Sequence, residues 1–140
     1  MGHIDTKALV RAEQAKVYAY LSDPRNAPHY IGAIKRVGGG PDGRPKAGDS
    51  YQAAAEFMGR PAQITLRLQE LLPDRRVVMT LQGDPAASIQ IELRPADGGR
   101  STEVRARLDV PSAPSLMLEL VMGRMLRDGI ATLAGTLGDR

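Results

Sequence analysis

The sequence predicts an α+β domain: a first strand, two short helices, an antiparallel meander and a long C-terminal helix. Three observations carry this reading. Between residues 50 and 110 the apolar residues recur at every second position, in short runs separated by tight turns. Just before them, "GGGPDGRPKAGD" (38–49) holds five glycines and two prolines and reads as loop. Beyond Pro111 and Pro114 the apolar spacing becomes that of a helix. Strand, helices, sheet and helix, in that order, make an α+β pattern.

The elements follow in order. "HIDTKALVR" (3–11) reads as a strand, and "EQAKVYAYLS" (13–22) as a short helix with Val17, Tyr20 and Leu21 at helical spacing. Asp23-Pro24 ends that helix, because proline disfavours helix in the residue before it. A second short helical segment runs from Arg25 to Ile31. In the sheet, Tyr51, Ala53, Ala55 and Phe57 share one parity. Ile64, Leu66 and Leu68 follow after a turn at Gly59-Arg60-Pro61, then Val77, Met79 and Leu81 after Pro73-Asp74. Ile89, Ile91 and Leu93 precede a Gly98-Gly99 hairpin, and Val104, Ala106, Leu108 and Val110 follow it. The opposite parity, with Arg67, Gln69, Gln90, Glu92, Arg105 and Arg107, is polar. Such a sheet has one face in the core and one in water.

The C-terminal helix begins near Ser115 and must cover the apolar face. At 100° per residue, Leu118, Met122, Met125, Leu126, Gly129, Ile130 and Leu133 share one side, with Glu119, Arg124, Arg127, Asp128 and Thr132 opposite. Gly129 sits mid-stripe, although glycine costs a helix interior about 1 kcal/mol relative to alanine. Facing the small residues Ala53, Ala55 and Ala106, and flanked by adaptable methionines, it is expected to leave a gap: a cavity between helix and sheet. Leu116, Met117 and Leu120, on the nearly all-apolar first turns, are left needing a cover. The 38–48 loop, a second copy, another partner or a membrane surface could supply it.

Composition excludes much. At 140 residues, 42% of them hydrophobic and 25% charged, the chain suits one folded domain over residues 1–140. No apolar run reaches 18 residues, so no transmembrane span is expected. "MGHIDTKALV" lacks the basic start and apolar run of a signal peptide. The absence of cysteine rules out disulfides and thiolate chemistry and fits a cytoplasmic location. Two distant histidines, His3 and His29, argue against a metal site, and no cofactor is expected. The net charge of +3 is spread evenly, with no tryptophan and one phenylalanine for base stacking, so nucleic acid is not the expected partner.

Catalytic constellations are sparse. No Gly-x-Ser-x-Gly elbow occurs, and in the run Gly38 to Gly43 Arg44-Pro45 replaces the Lys-Ser/Thr of a phosphate loop. Glu70 continues the parity of Ile64, Leu66 and Leu68. It is either a strand-end carboxylate in solvent or a pocket carboxylate with a raised pKa. His29 is either a surface turn residue or a general base, and Arg75-Arg76 reads as a solvated turn. Tyr30 and Tyr51 either fill core or offer hydroxyls to a ligand.

The chain resembles the START-like, or Bet v 1-like (SRPBCC), superfamily, and within it the bacterial polyketide cyclase/dehydrase and lipid-transport-like family. The residues that carry the resemblance are "AKVYAYLSDPRNAPHYIGAI" (15–34), Gly48-Asp49-Ser50-Tyr51, "LQELLPDRRVVMTLQG" (68–83) and "ELRPADGGRSTEVRARLDV" (92–110). Where relatives often carry tryptophan after the Asp-Pro step, His29-Tyr30 stand here. The resemblance implies a helix-grip fold: a curved antiparallel sheet of six to seven strands wrapped on the C-terminal helix, two short helices after strand 1, and a cavity for a lipid, polyketide or quinone-like molecule. The expected ligand-binding residues are Tyr30, Tyr51, Phe57, Leu66, Met79, Leu81, Ile91, Ala106, Met122, Met125 and Gly129, with no catalytic residue assigned. Carriage of a small lipophilic ligand is the leading expectation. An aromatase/cyclase-type enzyme and a protein-interaction module, like the quinone- or ribosome-associated relatives, are the alternatives.

Overall fold

The computed structural model describes residues 2–57, 59–83, 86–112 and 123–138, with only the backbone of Phe57. Its elements are β1 (Gly2–Val10), α1 (Gln14–Leu21), a 3-10 segment (Pro24–His29), β2 (Ile34–Gly38), β3 (Ser50–Phe57), β4 (Arg60–Leu72), β5 (Arg76–Gln82), β6 (Ala87–Ala96), β7 (Ser101–Val110) and α2 (Arg124–Gly138). Among the described residues the seven strands form one curved antiparallel sheet, ordered β1-β7-β6-β5-β4-β3-β2. The expected alternation holds: Ile64, Leu66 and Leu68 are buried, while Arg67 and Gln69 are exposed.

Asp23 opens the 3-10 segment by accepting a hydrogen bond from the Arg25 N–H at 3.0 Å, and Pro24 supplies a preset φ at its first position. The hairpin between β6 and β7 turns on Gly98 and Gly99, whose φ of 66° and 92° favour glycine. α1 lies on β5, β6 and β7 and is tied down where the Gln14 side chain donates to the Asp74 carbonyl at 2.9 Å. α2 rests on β1 and on the 3-10 segment, burying Leu126, Ile130, Leu133 and Leu137. At the start of β7 the buried Thr102 hydroxyl donates to the Ala12 carbonyl at 2.8 Å.

Three features depart from the sequence reading. β2 is a strand that the period-two pattern did not reveal. β4 starts at Arg60, so Pro61 lies inside a strand and pairs with Glu56, not in a turn. A register shift between Leu68 and Glu70 breaks the parity of β4. The start of the C-terminal helix, with Leu116, Met117, Leu120 and Met122, lies outside the described residues. Among those described, no helix is long and apolar enough to cross a membrane.

Candidate ligand cavity

The inner face of the sheet has two ends, set by which side chains meet across the strands. Toward the β4–β5 turn the facing pairs are Leu68 with Met79, Val77 with Ile91, and Leu93 with Val104. All six are buried, and Val17 and Leu21 of α1 join the same core cluster. Toward the β3–β4 hairpin the pairs are Ala55 with Ala62 and Leu81 with Ala87. These four are only partly buried.

A cavity of about 70 Å³ lies at the alanine-rich end. Ala55, Ala62, Ile64, Leu81, Ala87, Ile89, Leu108 and Val110 of the sheet line it, with Ile31, Gly32 and Ala33 between the 3-10 segment and β2, and Leu126 of α2. Glu56, exposed on β3, is the one ionisable residue of the described lining. A Cβ placed on Gly32 would sit 2.6 Å from the Cγ of Met125 and 2.9 Å from its sulfur. Met125 therefore lies across the Gly32 backbone, against the cavity wall.

Among the expected ligand residues, Leu81 lines this cavity and Met125 abuts it. Tyr30, Tyr51, Leu66, Met79, Ile91 and Ala106 are buried in the core outside its lining. The side chain of Phe57 and all of Met122 lie outside the described residues. The gap expected at Gly129 is not there. A Cβ on Gly129 would collide with the carbonyl oxygen of Tyr30 and stand 2.8 Å from its carbonyl carbon. The glycine brings the helix backbone against the chain at Tyr30, leaving no room beside it. Of the small sheet residues, Ala55 lines the cavity, whereas Ala53 and Ala106 are covered in the core.

The polar candidates resolve into local partnerships. Tyr30 donates its hydroxyl to the Leu21 carbonyl at 3.3 Å, and burial, then Tyr20 and Asp23, push its pKa far above the usual tyrosine value. His29 is exposed and hydrogen-bonds through Nδ1 to the Tyr20 hydroxyl at 3.0 Å. Glu70 pairs with Arg76 at 3.1 Å, both side chains being partly exposed, because the β4 irregularity takes it out of the inward parity. Arg76 also donates to the Gln90 side chain at 3.3 Å, so it belongs to the wet face of the sheet. The Tyr51 hydroxyl is buried with no hydrogen-bond partner among the described residues. Among those residues, no cluster of three carboxylate or imidazole groups could hold a metal ion.

Leu81 apart, the lining was absent from the expected ligand residues: missed were aliphatic side chains such as Ile31, Ile64, Ile89, Leu108, Val110 and Leu126, the carboxylate of Glu56, and the small residues Gly32, Ala33, Ala62 and Ala87. The signal was the facing of Ala55 with Ala62, which becomes visible only once the strand register is known.

Comparison with known proteins bears on fold and family. A family model described as polyketide cyclase / dehydrase and lipid transport matches residues 1–138. No curated protein sequence matches significantly. A START superfamily protein from Mycobacterium smegmatis is similar at 20% identity and a TM-score of 0.77, over 98% of this chain and 97% of that one. The Aha1 dimer from Colwellia psychrerythraea is similar at 14% identity and 0.71, over 99% and 98%. The di-domain aromatase/cyclase BexL of the BE-7585A biosynthetic pathway is similar at 20% identity and 0.70; 96% of this chain matches 46% of that one. At these identities the likeness is one of fold.

Proposed function

Because the chain belongs to the polyketide cyclase/dehydrase and lipid transport family, we propose that it binds and carries a small lipophilic ligand, without transforming it, in the cavity between the alanine-rich end of the sheet and α2. One observation carries this reading: the cavity wall is aliphatic throughout its described lining except for Glu56. Catalysis of an aldol cyclisation requires an acid, a base or an oxyanion donor aimed at the substrate. His29, Tyr30 and Tyr51 stand outside this lining. A wall of this kind holds its ligand by excluding water from apolar surface.

The volume sets a condition. Pockets for drug-sized molecules measure roughly 300–1,000 Å³, against about 70 Å³ here, so a whole lipid requires the cavity to widen. Met125 supplies the means. Its unbranched side chain lies across Gly32, and an unbranched thioether re-packs readily. In this reading residues 1–140 act as one START-like domain in the cytoplasm.

The deciding experiment is native mass spectrometry of protein purified without denaturation, with organic extraction of what it retains. It is paired with titration of a fluorescent fatty acid. Saturable micromolar binding with a negative heat-capacity change is expected. No saturable binding across a broad set of lipophilic probes would overturn the reading and favour an interaction module. Turnover of a polyketide substrate would favour the aromatase/cyclase alternative, in line with the likeness to BexL.

A further inference from the structure

Tyr51 lies on β3 outside the cavity lining and has no task in the reading above. Its side chain is fully buried, yet its hydroxyl is unpaired among the described residues. A buried hydroxyl without a partner forgoes the bonds it would make in water. Tyr30, equally buried, satisfies its own. What lies on Tyr51 is the glycine-rich loop between β2 and β3. A Cβ on Gly40 would collide with the Tyr51 ring, so glycine is what lets the backbone come so close.

Arg25 holds the loop in place. Its guanidinium stands 5.6 Å from the Tyr51 ring centroid and donates to the Pro41 carbonyl at 3.2 Å. Asp23 in turn steadies Arg25, its carboxylate 3.7 Å from the guanidinium. The far end of the loop is anchored on β4, where the Gly48 N–H donates to the Leu68 carbonyl at 2.7 Å.

We propose that the loop over residues 39–47 is a strap latched by Arg25, and that its release opens a slot in which the Tyr51 hydroxyl donates to an uncharged acceptor, a ketone or similar carbonyl oxygen, of a small molecule. The slot is separate from the apolar cavity, whose lining excludes Tyr51. An uncharged acceptor fits because two carboxylates flank the strap: Asp23 stands 3.7 Å from the Arg25 guanidinium that covers the ring, and Asp49 accepts from the Lys46 N–H at 2.9 Å. Burial first, then Asp49, holds the hydroxyl in its protonated, donating form. A carboxylate would meet two like charges there.

The latch is tested without any ligand. Nitration with tetranitromethane, read residue by residue by peptide mass spectrometry, should leave Tyr51 and Tyr30 unreacted in the wild type. Arg25→Ala should speed nitration of Tyr51 at least about tenfold, with Tyr30 still protected. If Tyr30 reacts too, the variant has loosened the whole domain. Gly40→Ala then serves, since it lifts the loop with Arg25 in place and should expose Tyr51 alone. Tyr51 remaining as protected as Tyr30 in both variants overturns the strap, as does its exposure only together with Tyr30 in both. For the acceptor, 1-tetralone should bind Arg25→Ala about 3- to 10-fold more tightly than its hydrocarbon analogue tetralin, the worth of one hydrogen bond. Adding Tyr51→Phe should erase that preference. Equal binding of the two compounds to Arg25→Ala, or a preference that survives Tyr51→Phe, overturns the acceptor role, whatever occupies the apolar cavity.

Discussion

At one end of the sheet's inner face, Leu68 meets Met79 and Val77 meets Ile91; at the other, Ala55 meets Ala62 and Leu81 meets Ala87. Both ends obey the same alternation, so both face inward. The first end is filled: its side chains are buried, and α1 lies over β5 and β6 there. The second stops short of filling and leaves a cavity. Parity decides which face is dry. The size of the residue at each rung, and where the helices come to rest, decide whether that face is solid or hollow.

The largest effect should come from hollowing the solid end. Leu68→Ala is expected to cost about 2–5 kcal/mol, the lost transfer energy plus a new void, measured by denaturant unfolding. A cost below about 1 kcal/mol would mean that this end is no better packed than the other. Gly129→Leu tests the contact between α2 and Tyr30. Helix propensity alone would favour the change by up to about 1 kcal/mol. The collision with the Tyr30 backbone should dominate, for a net destabilisation of about 1–3 kcal/mol. A variant as stable as wild type would restore the gap expected from the sequence.

Tyr30→Phe should cost about 1 kcal/mol at neutral pH by leaving the Leu21 carbonyl unpaired. It also carries a pH signature. The folded protein raises the pKa of Tyr30, so folding retains a proton that the unfolded chain gives up near its ordinary value of about 10. This contribution to stability is fully present below about pH 10 and is lost as pH rises above it. Melting temperatures between pH 8 and 11 should fall in wild type and fall less in Tyr30→Phe. Tyr51, Tyr18 and Tyr20 are shifted the same way and keep part of the slope. An unchanged slope would separate Tyr30 from the alkaline transition.

At the hollow end, Ala55→Leu should change stability by less than about 1 kcal/mol, because the added carbons enter existing space. Binding of a fluorescent fatty acid should drop at least about tenfold. Marked destabilisation with binding intact would place the ligand elsewhere. Smallest of all, Glu70→Gln on the wet face should change stability by less than about 1 kcal/mol, as expected of a partly exposed ion pair, and leave binding untouched.

The alternation from residue 50 to 110 was strong enough to give β3, β5, β6 and β7 and the buried parity of each. β2 was hidden because it is five residues long, ends in Gly38 and buries only Ile34 fully. The sequence left Glu70 open between solvent and pocket because the register shift that turns it outward leaves no trace in the residue pattern. The cavity was expected, and its place was missed for the same reason that Gly129 misled. An alanine or a glycine states that something is close or that something is missing, and the neighbour that decides between these comes from a distant segment. Gly129 meets Tyr30; Ala55 meets Ala62 and then open space. Periodicity supplies faces, while the contents of a face depend on long-range packing.

The pairing of β1 with β7, from Gly2 with Val110 to Val10 with Thr102, has a kinetic consequence. The meander from β2 to β7 can zip from hairpin to hairpin, each step closing a short loop. β1 has nothing to pair with until β7 exists, and α2, which rests on β1, comes later still. Bringing residues so far apart in sequence together carries an entropic cost that grows with the intervening chain, and folds rich in such contacts assemble slowly. On a translating ribosome β1 would emerge before its six neighbours in the sheet and yet be among the last of them to dock. Until then β7 would present a bare edge, open to pairing with another chain.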